Sequence, residues 1–224
     1  IFGVKNAENK AQQWVAKFYI TYGRIWHGYE ISGLQSVLSL EKPVLFIFFH
    51  GAIGIDLAFF VFNLMSKHKN TVQNCIRGSK EECLRYLKAG HSLIIAPGGS
   101  YEAMFGDNFY NIMWRNRVGF AKLAKEAEVE IVPVFTENIQ EAFRPIPIFQ
   151  KLLLRFYLKT RIPFMPMFGG LPVKLISHVG KPIKFTNEQS PEDIRKNVEE
   201  SLKNLIKQNQ RVPGSFLRAL WERL

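Results

Sequence analysis

His50 and Asp56 are the two residues of this sequence best suited to moving a proton. An imidazole with an ordinary pKa of about 6.5 can take a proton from a hydroxyl at neutral pH. A carboxylate beside it would fix the tautomer and stabilise the imidazolium, as the aspartate of a triad does. The same two residues admit a plainer reading, a histidine bonded to backbone and an aspartate that merely favours a helix N-terminus. A second group is Ala96-Pro97-Gly98-Gly99-Ser100-Tyr101-Glu102-Ala103. Its paired glycines let the backbone approach another group closely, and successive N–H groups there can form an anion nest. Its plain alternative is a strand-to-helix turn with Glu102 in solvent.

The elements around these residues place them at strand ends. VLFIFF (44–49) reads as a buried strand, followed by a glycine-containing turn over 50–54 and a helix from Ile55 to about Lys67. The whole stretch 44–65 has the length of a membrane span, but two glycines and Asp56 interrupt it, so strand, turn and helix is preferred. The helix is nearly all apolar, which suits a core position or a membrane face. Residues 92–96 read as a second buried strand closed by Pro97-Gly98-Gly99. Two glycine-rich turns at strand ends of one α/β layer point to one site. Elsewhere the patterning predicts helices over 7–22, 80–89, 117–127, 148–158, 191–208 and 213–224, and strands over 23–32, 130–135 and 173–179. Ser190 and Pro191 mark a helix start. Alternating strands and helices give an α/β fold, a single layered domain over residues 1–224 with a mixed sheet flanked by helices.

With 47% hydrophobic and 22% charged residues, the chain is neither disordered nor collagen-like, and it can bury a sizeable core. Two cysteines cannot build a disulfide framework and are too few for a cysteine-based zinc site. His27, His68, His91 and His178 lack ligand spacing with other donors, so no metal is expected. No signal-peptide pattern is visible, and a chain beginning at Ile1 leads us to expect a preceding segment. The net charge is +11, with +8 of it on residues 113–224. From Phe143 to Asn187 there are eight Lys or Arg and no acid, interleaved with Phe, Leu and Met. Basic plus aromatic character suits an anionic membrane surface or an anionic ligand, against the simpler reading of a soluble cationic face. No zinc-finger, helix-turn-helix or RNA-motif signature is present, so nucleic acid is not expected as a partner.

Taken together, FFHGAIGID, APGGSYEAMFGD, YNIMWRNRVGFAKLA, EIVPVFTENIQEAFR, PFMPMFGGLPVKL and RVPGSFLRALWERL resemble the transmembrane protein 68-like acyltransferases. These are related to the diacylglycerol acyltransferase type 2 family of the glycerolipid acyltransferase superfamily. The resemblance runs from about Trp26 to the end and implies a glycerolipid acyltransferase-like fold. It further implies transfer of an acyl chain from acyl-CoA, as substrate and without any cofactor, to a glycerolipid hydroxyl at the endoplasmic reticulum membrane, with the active domain facing the cytosol. By the same resemblance His50 is the general base and Asp56 orients and charges it, while Pro97 to Glu102, including Gly98 and Gly99, line the site. The tetrahedral oxyanion needs N–H donors or a cation; backbone N–H groups near Gly51 or Gly98–Gly99, and Arg117, are the candidates.

Phospholipid-making members carry an arginine just after their Glu-Gly turn. Here that turn reads Gly98-Gly99-Ser100-Tyr101, which favours a neutral acceptor such as mono- or diacylglycerol unless Arg115 or Arg117 serves instead. Two further departures stand out. Gly54 occupies a position where proline is common, and the connection from Lys67 to Gly78 is shorter by about a strand and a helix. The competing readings are a lysophospholipid acyltransferase and a catalytically impaired, lipid-binding scaffold. A serine hydrolase would need a G-x-S-x-G elbow, and the chain has none.

Overall fold

The structure is a computed structural model that describes residues 10–40, 42–67, 79–146, 150–162, 164–186 and 188–224. The start of the first expected helix, His68, Cys75 and the short connection 68–78 lie outside the described residues.

The elements run α1 (Lys10–His27), β1 (Glu30–Ser32), α2 (Gln35–Leu38), β2 (Val44–Phe48), α3 (Ile55–Lys67), α4 (Lys80–Lys88), β3 (Leu93–Ile95) and α5 (Gly99–Phe105). They continue with α6 (Gly119–Ala127), β4 (Glu130–Glu137), α7 (Ile139–Ala142), β5 (Phe143–Pro145), α8 (Gln150–Thr160), β6 (Met167–Gly169), β7 (Ile176–Val179), α9 (Pro191–Asn209) and α10 (Phe216–Trp221). Five strands form one mixed sheet in the order β1-β7-β4-β2-β3. β2 runs parallel to both β3 and β4, whereas β7 is antiparallel to β4 and parallel to β1. β5 and β6 form a separate antiparallel pair.

β2 shows why the sheet is layered. All five of its residues are buried, and its side chains alternate between two cores. Leu45, Ile47 and Phe49 meet α4, α6 and α9, while Val44, Phe46 and Phe48 meet α2 and α3. α9 contributes Ile194, Val198, Leu202 and Ile206, four apolar residues at four-residue spacing, to the first core. It starts where the Ser190 hydroxyl accepts the Asp193 N–H at 3.1 Å.

One expected element is corrected. Residues 23–32 are not a strand: α1 continues through Gly23 to His27, and only Glu30–Ser32 is extended. Gly23 is there for close packing, since a Cβ would sit 3.0 Å from the Phe59 ring of α3. The stop signal is Gly28, at φ +52°, a conformation that favours glycine. The strand and helix expected over 173–179 and 213–224 are shorter, at Ile176–Val179 and Phe216–Trp221. His27 is buried and donates from Nδ1 to the Val173 carbonyl at 3.0 Å, so it ties α1 to the chain before β7.

Candidate active site

The register Ile47↔Ile95 places the ends of parallel β2 and β3 side by side. The His50 turn and the Pro97-Gly98-Gly99 turn are therefore neighbours at the carboxyl edge of the sheet, the edge where open α/β sheets hold their ligands. The two turns are joined by Glu102. Its Oε2 accepts the His50 backbone N–H at 3.0 Å, and its Oε1 accepts the Met113 N–H at 2.8 Å. The carboxylate is fully buried, and burial pushes its pKa up to about 7 against the pull of those two N–H groups and of Arg117. Glu102 was expected to line a substrate site. Its oxygens hold two backbone segments, the His50 turn and the loop at Met113, to α5.

Arg117 also acts on the scaffold. Its Nη1 donates to the Pro97 carbonyl at 2.7 Å and to the Gly98 carbonyl at 2.9 Å, latching the turn from outside. Only Nη1 of the guanidinium is engaged with the turn. Gly98 is required here because a Cβ would lie 2.2 Å from Glu102 Oε2. Gly51 is required because a Cβ would lie 2.4 Å from Ile139 Cγ1 of α7. Gly99 has φ +51°, and its N–H is committed to the Ala96 carbonyl at 3.1 Å. The Gly51 N–H has no acceptor among the described residues.

The His50 ring is held by its own turn. Nδ1 lies 2.6 Å from the Gly51 carbonyl, which can only accept, so Nδ1 carries the proton and Nε2 carries the lone pair. Burial lowers the His50 pKa, partly offset by that bond. Asp56 sits in the first turn of α3 and is buried, with burial pushing its pKa up to about 6. No hydrogen bond joins it to His50. The tautomer-fixing role expected of Asp56 is filled in this structure by the Gly51 carbonyl.

His50 opens onto a cavity of about 430 Å³. Ala103, Met104, Phe164, Met165 and Met167 give it apolar walls, and Ser100 contributes a hydroxyl. Phe164 and Met167 are themselves exposed, so the cavity reaches the surface between apolar side chains. Among the described residues no group of three or more His, Cys, Asp or Glu could hold a metal ion.

No family model matches the chain. Whole-chain comparison is decisive. A Bos taurus protein named DGAT1/2-independent enzyme synthesizing storage lipids is 37% identical over 238 residues, covering 97% of this chain and 71% of its own length. The Homo sapiens protein of the same name is 36% identical, covering 97% and 73% respectively. The chain belongs to this storage-lipid enzyme family. The resemblance read from the motif blocks therefore holds. In structure, this family member is similar to the 1-acyl-sn-glycerophosphate (LPA) acyltransferase PlsC of Thermotoga maritima, with a TM-score of 0.56 and 16% identity over 91% of this chain and 84% of that one. The fold is thus of the glycerolipid acyltransferase kind. The aligned 238 positions exceed the 224 residues present, so the storage-lipid enzyme relatives carry residues with no counterpart here.

Sequence reasoning missed three parts of this storage-lipid enzyme family site. One is the Met113 N–H, a backbone group that no residue type announces. Another is the apolar wall at 164–167, which the PFMPMF block carries without revealing its partner. The last is Thr136 of β4, whose hydroxyl faces Asp56 and pulls its pKa down. Its only signal is a hydroxyl after the apolar run Ile131–Phe135.

Proposed function

We propose that this chain transfers a fatty acyl group from acyl-CoA to the hydroxyl of a neutral glycerolipid, mono- or diacylglycerol, in storage-lipid synthesis. The observation that carries the reading is the His50 ring. Its Nδ1–H is tied to Gly51, leaving Nε2 as a free base beside an apolar cavity. Nε2 takes the hydroxyl proton as the acceptor oxygen attacks the thioester carbonyl. The C–O bond forms, the C–S bond breaks, and the imidazolium returns the proton to the leaving thiolate as CoA. Asp56 supplies the negative charge that stabilises the imidazolium, and the unengaged Gly51 N–H serves the oxyanion. The apolar walls at Met104, Phe164 and Met167 suit an acyl chain. A neutral acceptor is supported by the turn Gly98-Gly99-Ser100-Tyr101, which carries no arginine, while Arg117 spends Nη1 on the turn carbonyls.

The lipid would be met at a membrane surface. Trp26, Phe168, Leu217 and Trp221 are exposed, and Trp26 Nε1 donates to the Gly170 carbonyl at 3.0 Å, joining α1 to the end of β6. Phe168, next to Met167 of the cavity wall, packs edge-on to Phe216 of α10 with centroids 5.4 Å apart, so β6 and α10 each carry exposed apolar side chains that suit a lipid surface. No helix among the described residues is long and apolar enough to cross a membrane. The basic run 143–187 is divided by the fold: Arg144 pairs with Glu141, Lys174 with Glu30 and Lys184 with Glu130. Arg155 and Lys159 of α8, and Arg161 just after it, have no acidic partner among the described residues and are cations offered to anionic headgroups.

The test is transfer from labelled oleoyl-CoA in detergent micelles, with monoacylglycerol, diacylglycerol or lysophosphatidic acid as acceptor. We expect transfer to a neutral acceptor and a fall of about 10²–10⁴-fold in His50→Ala. Transfer to lysophosphatidic acid alone overturns the acceptor assignment, and an unaffected His50→Ala overturns the base.

A further inference from the structure

Beneath the first turn of α3 an apolar core gives way to hydroxyls. On β4 the side chains facing α3 are Val132, Val134 and then Thr136, and on β7 the matching residues are Val179 and then Ser177. Thr136 and Ser177 are fully buried and stand directly opposite each other in the antiparallel register. Their oxygens are 2.8 Å apart, and the Tyr29 hydroxyl donates to Ser177 Oγ at 2.8 Å. Valine would fit the pattern at both positions, and a buried hydroxyl costs stability unless it is bonded.

Counting protons gives the row a direction. Each hydroxyl has one proton to donate. Tyr29 gives its proton to Ser177, so Ser177 is free to give its own to Thr136. Thr136 then has its proton left over, and its hydroxyl is close enough to the Asp56 carboxylate to pull that pKa down. Asp56 Oδ2 is buried and has no hydrogen-bond partner. An unspent donor thus lies next to a buried carboxylate that has an unsatisfied oxygen.

We propose that Tyr29, Ser177 and Thr136 form a one-way hydroxyl chain that delivers a donor to Asp56, which makes Thr136 a positioning residue for the proton-transfer step. The proposal rests on the reading of His50 as base and Asp56 as its supporting charge. Its physical logic is desolvation. The groups facing Asp56 are the Thr136 hydroxyl, the backbone N–H groups of Asp56 and Leu57, and the neutral phenol of Tyr29, with no Lys or Arg among them. His50 lies in the turn that leads into α3. With no cation nearby, hydrogen-bond donors are what hold the buried carboxylate ionised. Removing the Thr136 hydroxyl leaves Asp56 protonated to higher pH and the imidazolium without its counter-charge.

The experiment compares Thr136→Val, which keeps the shape and loses the hydroxyl, with Thr136→Ser, which keeps the hydroxyl. Acyl transfer is followed from about pH 5 to about pH 9, with His50→Ala in parallel. Thr136→Val should move the acid limb upward by about one pH unit, lowering kcat about twofold at pH 7 and up to about tenfold on the acid limb, while KM for acyl-CoA stays constant. Thr136→Ser should restore both. A second readout needs no turnover. The chain has three aspartates, Asp56, Asp107 and Asp193, so the labelled carboxyl carbon of Asp56 can be assigned by NMR against Asp56→Asn. Its titration midpoint should rise in Thr136→Val and stay in place in Thr136→Ser. An unmoved midpoint in Thr136→Val overturns the proposal, as does failure of Thr136→Ser to restore the pH profile. If His50→Ala remains active, it is the general-base reading that falls, and the NMR midpoint still decides the hydroxyl chain.

Discussion

Glu102 holds His50 by its backbone: Oε2 takes the His50 N–H at 3.0 Å while the imidazole is left to Gly51. The carboxylate is thus an anchor for the peptide that carries the base. Glu102→Gln keeps the size and leaves one acceptor oxygen for two N–H donors. One donor, at His50 or Met113, then faces an amide NH₂. We expect a loss of about 1–3 kcal/mol in urea unfolding, the scale of an unsatisfied buried donor, together with reduced transfer.

The same burial makes stability depend on pH. Glu102 is raised to about 7 and Asp56 to about 6. For a group whose folded pKa is raised, the stabilising contribution is complete below its unfolded pKa and is lost as pH rises through the folded value. The melting temperature should therefore fall as pH rises from the usual carboxylate range through about 7. Glu102→Gln should flatten the upper part of that fall. A melting temperature that climbs over this range in the wild type would contradict the assignment.

Two glycines close to the site should respond differently to alanine. In Gly98→Ala the new Cβ lands 2.2 Å from Glu102 Oε2, whereas at Gly54 the nearest atom is Leu57 Cβ at 3.8 Å. Gly98→Ala should lose about 1–3 kcal/mol and most of its transfer activity, because the displaced carboxylate also carries the His50 turn. Gly54→Ala should stay within about 0.5 kcal/mol of the wild type by thermal or chemical unfolding.

Burial lowers the His50 pKa, so its neutral, proton-accepting form persists below the usual midpoint. The acid limb of kcat/KM should lie below about pH 6.5 in the wild type. A limb well above neutrality would show that another group limits the rate.

Membrane attachment should divide into two separable parts. Trp221→Glu with Leu217→Glu should weaken sedimentation with neutral and anionic vesicles alike. Reversing Lys159 and Arg161 should weaken only the anionic case and remove its salt dependence. Both pairs are exposed, so the melting temperature should hold.

The parts of the fold that were legible are those where one periodicity governs a whole element. β2, α3 and α9 fall where their apolar spacing puts them, and the two glycine turns were placed together from strand ends alone. Glycine was misread where it has two uses. Gly23 and Gly28 look alike in sequence, and only the Phe59 ring shows which one is packed upon and which one ends α1. Glu102 was visible as a residue but its hydrogen-bond partners were not, because they are backbone N–H groups remote in sequence. The basic run 143–187 looked like one surface, but long-range pairing with Glu30 and Glu130 divides it.

The order of strands carries a consequence for how the molecule assembles. β4, β2 and β3 form the parallel side of the sheet and come from one contiguous stretch, 44–137, whereas β1 must wait for β7. Pairing of near segments closes smaller loops, so the parallel side should form first and the β7–β1 side should be laid on afterwards. His50, Asp56, Glu102 and Thr136 all belong to the early part. The reaction centre would then be shaped in a nascent half-sheet before the hydroxyls of Ser177 and Tyr29 arrive. Pulsed hydrogen exchange during refolding would read this as protection at Leu45–Ile47 ahead of Ser177.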